Sequence, residues 1–175
     1  MTTTTLDRIE TARMIGERYR PDHAPPLAAL MLDPRVAATL WPGPESPTDA
    51  DVRRGVSEKI AHWARYGFGM WLLRDRVTGV VVGRGGLQHT AVTGADEVEV
   101  GWAIAPERWG EGLATELANV SIDVALGELE LDSVIAYSLV ANGASRRVME
   151  KAGFIYEREL EHLSLAHVLY RRWPS

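Results

Sequence analysis

The sequence contains no cysteine among its 175 residues. This absence excludes disulfides, thiolate zinc sites and a cysteine nucleophile, and it is typical of a protein kept in a reducing compartment. Basic residues are also in the minority, with 19 Lys and Arg against 24 Asp and Glu and a net charge of −5. Binding to a phosphate backbone requires a basic excess, so we expect no nucleic-acid partner.

Long apolar runs are missing as well. No stretch of the sequence approaches the roughly 18 apolar residues of a membrane-spanning helix. The first residues show no basic segment followed by an apolar one, which a secretion signal would need. We therefore expect no membrane association and a cytoplasmic location. The five histidines have no metal-ligand spacing, so the sequence predicts no metal site.

The residues that are present suit one packed domain. Apolar residues make up 46% of the chain and charged residues 25%, and a length of 175 fits a single domain. The leading threonines suggest that residues 1–7 are frayed or disordered and that residues 8–175 form the domain.

Periodicity and turn residues predict an alternation of strands and helices. In the first part we expect a strand over 8–19, a short helix over 25–31 that Asp33-Pro34 ends, a proline-rich loop over 41–47, and a helix capped by Thr48 that ends near Gly67. In the second part we expect strands over 69–74, 79–87, 97–104 and 133–140, helices over 113–126 and 144–152, and a terminal hairpin of 154–162 and 163–172.

This order predicts an α/β (α+β) fold. Strand 97–104, helix 113–126 and strand 133–140 form a right-handed βαβ unit. We expect one mixed, mostly antiparallel sheet of about six to seven strands, with about four helices packed on both of its faces.

Two carboxylates project from one face of strand 97–104. The strand alternates cleanly, so Glu97 and Glu99 lie on the face opposite Val98 and Val100. They are candidates for acid–base chemistry, and the alternative is that both are solvated charges on an exposed sheet face.

Two further segments have the composition of a ligand site. Gly110 and Gly112 precede a helix N-terminus, where backbone N–H groups favour phosphate oxygens, although a tight turn without ligand has the same composition. A Walker motif is excluded because no Gly-Lys-Ser/Thr occurs, and a dinucleotide-binding motif fits poorly because Thr115 stands where Gly or Ala is needed. In the second segment, Asn142 and Ser145 open a helix, which a simple cap would also explain.

Taken together and in this order, the segments 99–102, 106–116 and 142–154 resemble the GNAT superfamily of acyl-CoA-dependent N-acetyltransferases. The branch that the chain resembles most includes the ribosomal-protein N-terminal acetyltransferases. The resemblance covers roughly residues 12–172 and implies the GNAT fold, with acetyl-CoA as co-substrate and no metal.

The resemblance also implies which residues hold acetyl-CoA. The backbone of Trp102, Ala103 and Ile104 is expected to pair with the pantetheine amides, and Asn142 to hydrogen-bond the same arm. Arg146 or Arg147 is expected to meet the adenosine phosphates, and we assign Arg147. The pyrophosphate is expected at the loop and helix start formed by Arg108, Trp109, Gly110, Glu111, Gly112, Leu113, Ala114 and Thr115. Glu107 departs from the family pattern of Gln or Arg at its position, and Arg108 is the nearby cation that compensates.

The catalytic roles follow from the same resemblance. Glu99 is the expected base and would take the proton directly or through a water. Glu97 is the reserve candidate for this role, and we assign it to the residues that bind the acceptor. Many members carry a tyrosine acid at the position of Met149, which has no proton to donate. Ser145, one helical turn earlier, is therefore expected to donate a hydrogen bond to the departing thiolate. Trp41 is expected to contact the acceptor.

These assignments predict an enzyme that moves an acetyl group from acetyl-CoA to a primary amine by direct transfer. A protein or peptide N-terminal α-amine is the leading acceptor. A small-molecule amine acceptor of the antibiotic or polyamine type and a non-catalytic acyl-CoA sensor are the alternatives, with a NAD-binding module as a remote fourth reading. Members of this branch often form homodimers, so a homodimer is a further possibility that the sequence itself does not settle.

Overall fold

The structure is a computed structural model that describes residues 6–41 and 43–175. The first five residues of the predicted frayed segment, and Pro42 in the predicted loop, lie outside this range. The chain opens with a short hairpin of β1 (Arg8–Glu10) and β2 (Met14–Arg18). The prediction of one strand over 8–19 was wrong, because Thr11 closes a turn: its backbone N–H donates to Met14 O (2.9 Å), and its hydroxyl oxygen accepts from Met14 N (2.9 Å).

Three α-helices follow a 3₁₀ turn at Pro21–His23: α1 (Ala24–Met31), α2 (Pro34–Leu40) and α3 (Asp49–Tyr66). The sequence analysis missed α2, because it took Asp33-Pro34 as the end of a helix. These residues instead begin one: the Asp33 side chain accepts a hydrogen bond from Arg35 N (2.9 Å), and proline suits the first helical position. The cap of α3 by Thr48 is confirmed.

The strands in the middle of the chain are β3 (Met70–Asp75), β4 (Val81–Thr90) and β5 (Glu97–Ile104). Helix α4 (Leu113–Ile122) continues into a π-helical turn over Asp123–Glu128. The chain ends with β6 (Val134–Leu139), α5 (Gly143–Lys151) and the predicted hairpin of β7 (Ile155–His162) and β8 (Leu165–Arg172).

The strands form one mixed sheet in the order β1-β2-β3-β4-β5-β6-β8-β7. Strands β5 and β6 run parallel, with Glu99 opposite Ile135, as the predicted crossover requires. Five pairings are antiparallel: β1–β2, β2–β3, β3–β4, β6–β8 and β7–β8. The described residues thus give eight strands and five α-helices, against the predicted six to seven and four; the additions are the split first strand and α2.

The chain divides into two compact units. The first runs to Gly86 and includes Trp102–Leu113. In its core, Trp63 of α3 donates from Nε1 to Met70 O (2.8 Å) and meets Trp71 edge-on, with ring centroids 6.1 Å apart. Both tryptophans are buried.

The second unit comprises Leu87–Gly101 and Ala114–Ser175. Its core contains Leu117 of α4, Ile135 of β6, Met149 of α5 and Leu169 of β8, all fully buried. This unit contains Glu99, while the glycine-rich loop up to Leu113 belongs to the first.

Candidate active site

Glu99 is a buried carboxylate on β5. Only 7% of the residue is exposed, so the alternative of a solvated charge does not hold for it. Gln88 Nε2 donates a hydrogen bond to Glu99 Oε1. Within the described part of the chain, Glu99 Oε2 has no hydrogen-bond partner, although water does not reach it. An acceptor oxygen left unpaired at such depth costs free energy and is typical of a site completed by a ligand.

Tyr137 of β6 lies close to this carboxylate. Burial raises the pKa of Tyr137, and the charge of Glu99 raises it further. Its ring meets His162 (centroids 5.5 Å apart) and His167 (6.0 Å) edge-on. Burial lowers the pKa of His162, and neighbouring His167 lowers it further. The phenol and the His162 imidazole are therefore neutral near pH 7.

Glu97, the reserve base, has both of its oxygens engaged. Arg171 of β8 holds it in a two-pronged ion pair, Nη1 to Oε2 and Nη2 to Oε1, each 2.8 Å. The Thr93 hydroxyl donates to Oε1 at 3.2 Å. Hydrogen bonding to Arg171 lowers the pKa of Glu97 despite its partial burial. A paired carboxylate with a lowered pKa is a poor proton acceptor, so Glu99 is the better candidate.

The loop before α4 has the backbone shape that a phosphate site needs. Gly110 and Gly112 have φ of +81° and +84°, which a residue with Cβ adopts only under strain. A Cβ placed on Gly112 would lie 3.6 Å from Arg13 Nη2, so a cationic side chain lies directly beside this turn. Open glycine backbone, a helix start and an adjacent guanidinium are features that suit a phosphate group.

The side chains of this loop contact other protein groups. Arg108 bonds Asp75 (2.9 Å) and Glu111 (2.7 Å), and Glu107 pairs with Arg35 (2.8 Å). Trp109 donates from Nε1 to Ile104 O (2.8 Å), a carbonyl in the stretch expected to pair with pantetheine. Trp102, Ala103 and Ile104 lie at the end of β5 in the first unit, where buried Ala103 packs with α1 and α2.

The remaining predicted residues lie on three helices. The Asn142 side chain accepts a hydrogen bond from Ser145 N (3.1 Å) and so caps α5, which is the simple capping role that the sequence also allowed. Ser145 is half-buried. Arg147 is exposed on α5, and Met149, where an acid was expected, is fully buried. Ala114 and Thr115 lie in the first turn of α4. Trp41 is the half-buried residue that ends α2, in the first unit.

Four residues of these environments escaped the sequence analysis: Gln88, Tyr137, Arg171 and Arg13. Tyr137 lies in a predicted strand and Gln88 lies one residue beyond the predicted end of another, but their contacts with Glu99 depend on pairing between strands. Tyr137 gave one usable signal, a phenol inside a run otherwise taken as uniformly apolar. Among residues 6–41 and 43–175 no group of three or more His, Asp or Glu is placed to hold a metal ion. Over the same residues no helix combines the length and the apolar character needed to cross a membrane.

A family model described as the acetyltransferase (GNAT) domain matches residues 13–155. The chain belongs to the GNAT acetyltransferase family. This confirms the resemblance inferred from the segments at 99–102, 106–116 and 142–154. The family match covers the glycine-rich loop, Glu99 and α5.

Solved structures of acetyltransferases agree with this chain in fold. An acetyltransferase from Agrobacterium tumefaciens superposes with a TM-score of 0.82 at 21% identity, over 99% of this chain and 98% of that one. RimL, a ribosomal-protein α-N-acetyltransferase solved with coenzyme A, gives 0.79 at 17% identity, over 95% and 97%. An uncharacterized protein of Bacillus subtilis, YkkB, is 29% identical over 107 residues, 61% of this chain and 62% of that protein, so the match spans less than two thirds of this relative.

Proposed function

We propose that this GNAT protein transfers an acetyl group from acetyl-CoA to a primary amine, and that the amine is the N-terminal α-amine of a protein or peptide. The observation that carries the proposal is Glu99, a buried carboxylate held by Gln88 at one oxygen, while its other oxygen finds no hydrogen-bond partner among residues 6–41 and 43–175. A fixed, dehydrated base of this kind suits removal of a proton from an incoming amine.

Acetyl-CoA supplies the acetyl group as a thioester, and the residues of the chain handle the protons. Glu99 takes a proton from the amine as the nitrogen–carbon bond forms and the carbon–sulfur bond breaks. The Ser145 hydroxyl donates a hydrogen bond to the departing thiolate, because Met149 offers no proton. The proton held by Glu99 then leaves to solvent or to the thiolate, which restores the carboxylate.

The chemistry of a carboxylate base supports an acceptor amine that reaches Glu99 already close to neutral. An α-ammonium has a pKa of roughly 7.7–8.0 and a lysine ammonium roughly 10.4, so a carboxylate base deprotonates the former at much lower cost near pH 7. The fold is shared with RimL, which acetylates the α-amine of a ribosomal protein. Both considerations support a peptide N-terminus over a side-chain amine.

The test follows release of free CoA from acetyl-CoA with a thiol reagent. The chain contains no cysteine, so it adds no background signal. Peptides with different first residues form one arm and small primary amines the other. We expect turnover with peptides, reduced at least a hundredfold in Glu99→Gln, since general-base catalysis contributes about 10²–10⁴ in rate. Glu161→Gln, at an exposed glutamate on β7, is the matched control and should keep full activity.

Each other outcome points to a specific alternative. Turnover with small amines alone would replace the proposed acceptor while keeping the transferase. Full activity in Glu99→Gln would remove Glu99 from the chemistry. Binding of acetyl-CoA without turnover on any amine would favour the non-catalytic sensor.

A further inference from the structure

Four titratable side chains follow one another across the sheet, from β5 to β7. In the parallel pair of β5 and β6, Glu99 stands opposite Ile135, and Tyr137 lies two residues further along β6 on the same face. In the antiparallel pairs that follow, the registers place His167 of β8 and His162 of β7 on this face as well. All four side chains belong to the second compact unit.

The three rings of this line contact one another. Tyr137 meets His162 edge-on with ring centroids 5.5 Å apart, and His162 meets His167 with centroids 5.3 Å apart. His167 is buried, and its Nδ1 donates a hydrogen bond to Leu165 O (3.0 Å), because a carbonyl can only accept. His162 is only half-buried, and it lies on the strand that ends the sheet order. The line therefore leads from a buried carboxylate to an imidazole that reaches solvent.

Glu99 needs such a route, because a base that takes a proton in each acetyl transfer must also lose it. Glu99 is buried, and its Oε2 is shielded from water and has no hydrogen-bond partner among residues 6–41 and 43–175. Gln88 donates to the other oxygen, and an amide does not take up a proton at neutral pH. The immediate contacts of Glu99 thus offer its proton no exit.

We propose that Tyr137 and His162 carry this proton from Glu99 to solvent. The phenol accepts the proton of Glu99 and gives its own to a ring nitrogen of His162, directly or across a water molecule. The carboxylate and the hydroxyl are thereby restored, and the imidazolium releases the proton at the surface. This inference rests on the proposed acetyl transfer and goes beyond it by naming the route of the proton.

The surroundings of His162 suit a proton carrier. The titratable groups that face it from neighbouring strands are Tyr137, His167 and Glu99. Burial lowers the pKa of His162 and His167 lowers it further, while Glu99 acts in the opposite direction. The imidazole is therefore unprotonated near pH 7, and it gives up a proton readily once charged. Among residues 6–41 and 43–175 no hydrogen bond or ion pair occupies its ring nitrogens.

The test measures turnover with peptide acceptors at low buffer concentration, with and without added imidazole, which replaces the missing side chain as proton acceptor. Wild type is compared with His162→Gln and Tyr137→Phe. Phenylalanine keeps the ring that contacts both histidines and removes only the hydroxyl. The matched control is Glu161→Gln, because Glu161 is the exposed neighbour of His162 on the opposite face of β7.

We expect both variants to lower kcat at least about tenfold, because proton transfer by a positioned side chain contributes about 10²–10⁴ in rate and a slower route through water remains. The KM for acetyl-CoA should not change, and Glu161→Gln should match wild type. Imidazole should restore most of the kcat of His162→Gln and leave wild type unchanged, which a defect of folding or packing would not produce.

Full kcat in either variant at low buffer concentration would overturn the inference. A loss in His162→Gln that imidazole does not restore would overturn it as well. Absence of turnover in the wild type with every amine would instead overturn the proposed function.

Discussion

At the scale of single residues, the two glutamates of β5 have opposite environments although they stand on one face of one strand. Glu97 is neutralised by Arg171, which also bonds Glu157 (2.6 Å) and the Ser133 hydroxyl (3.0 Å). Glu99 has an amide donor and an oxygen without a partner among the described residues. A paired carboxylate is stable and unreactive, whereas an incompletely paired one is available for chemistry.

Glu97→Gln should lower the free energy of unfolding at neutral pH by about 2 kcal/mol, because it leaves a partly buried arginine with one carboxylate fewer. The pKa of Glu97 is lowered in the folded state, chiefly by its hydrogen bonds to Arg171. Its contribution is therefore fully present above the unfolded value of 4.5 and is lost as pH falls through the lowered, folded value. Urea unfolding should show a difference in the free energy of unfolding between wild type and Glu97→Gln at about pH 7. This difference should shrink at about pH 3.

The exposed Glu161→Gln is the control for this measurement and should change the stability little at either pH. A gap between Glu97→Gln and wild type that persisted undiminished at the lower pH would contradict the ion-pair explanation.

The sequence predicted the site only as far as single-strand geometry reaches. Strict alternation along β5 placed Glu97 and Glu99 on one face, and the strand runs over the predicted residues. It could not distinguish the two, since the difference lies in Arg171 and Gln88, which come from other strands. Long-range contacts of this kind, like that of Arg13 with Glu111, leave no periodic trace in the sequence.

At the scale of the elements, the ends of α3 are set by local chemistry. Thr48 and Asp51 form a reciprocal cap at its start, and Gly67 ends it with φ of +74°. The same helix contains a second glycine, Gly55, in its interior. For both glycines, the described residues leave the space around an added Cβ open, so backbone conformation alone distinguishes them.

Gly67→Ala should therefore destabilise the protein by about 1 kcal/mol, because alanine is strained at positive φ. Gly55→Ala should stabilise it by roughly 0.5–1 kcal/mol, because alanine loses less backbone entropy in a helix. Chemical unfolding of the two variants beside wild type checks the pair. Changes of the same sign would show that packing, and not φ, governs these positions.

The predicted element boundaries were wrong where the boundary residues gave an ambiguous signal or none. Aspartate before proline both follows a helix and starts one, so Asp33-Pro34 could not show by itself that α2 begins there. The hairpin of β1 and β2 was hidden because its turn uses Thr11 and contains neither glycine nor proline. Elements bounded by clear capping or turn residues, such as α3 and the terminal hairpin, lie within two residues of their predicted positions.

At the scale of the whole molecule, ligand binding should increase the stability of the folded protein. A ligand that binds only the folded state at 100 times its Kd adds about 2.7 kcal/mol. For a chain of this size, we expect the melting temperature to rise by about 5–10 °C on addition of saturating CoA. Scanning calorimetry with and without CoA measures this rise, and pantetheine is measured in parallel. Identical curves with and without CoA would contradict the proposed use of acetyl-CoA.

The fold class was predictable because the crossover from β5 through α4 to β6 and the terminal hairpin each have a clear sequence signature. The confirmed family and the parallel pairing of Glu99 with Ile135 agree with that prediction. The strand count was low by one or two, since the two strands at the start are only three and five residues long and were predicted as one.

The last strand of the sheet order, β7, has no neighbour on its outer side within the residues that the structure describes. Its exposed side chains include Glu157, Arg158, Glu159 and Glu161. In a fibril of identical strands stacked in register, each of these charges would face its own copy about 4.8 Å away. The charge pattern of β7 thus opposes amyloid growth at the very edge where growth would be easiest.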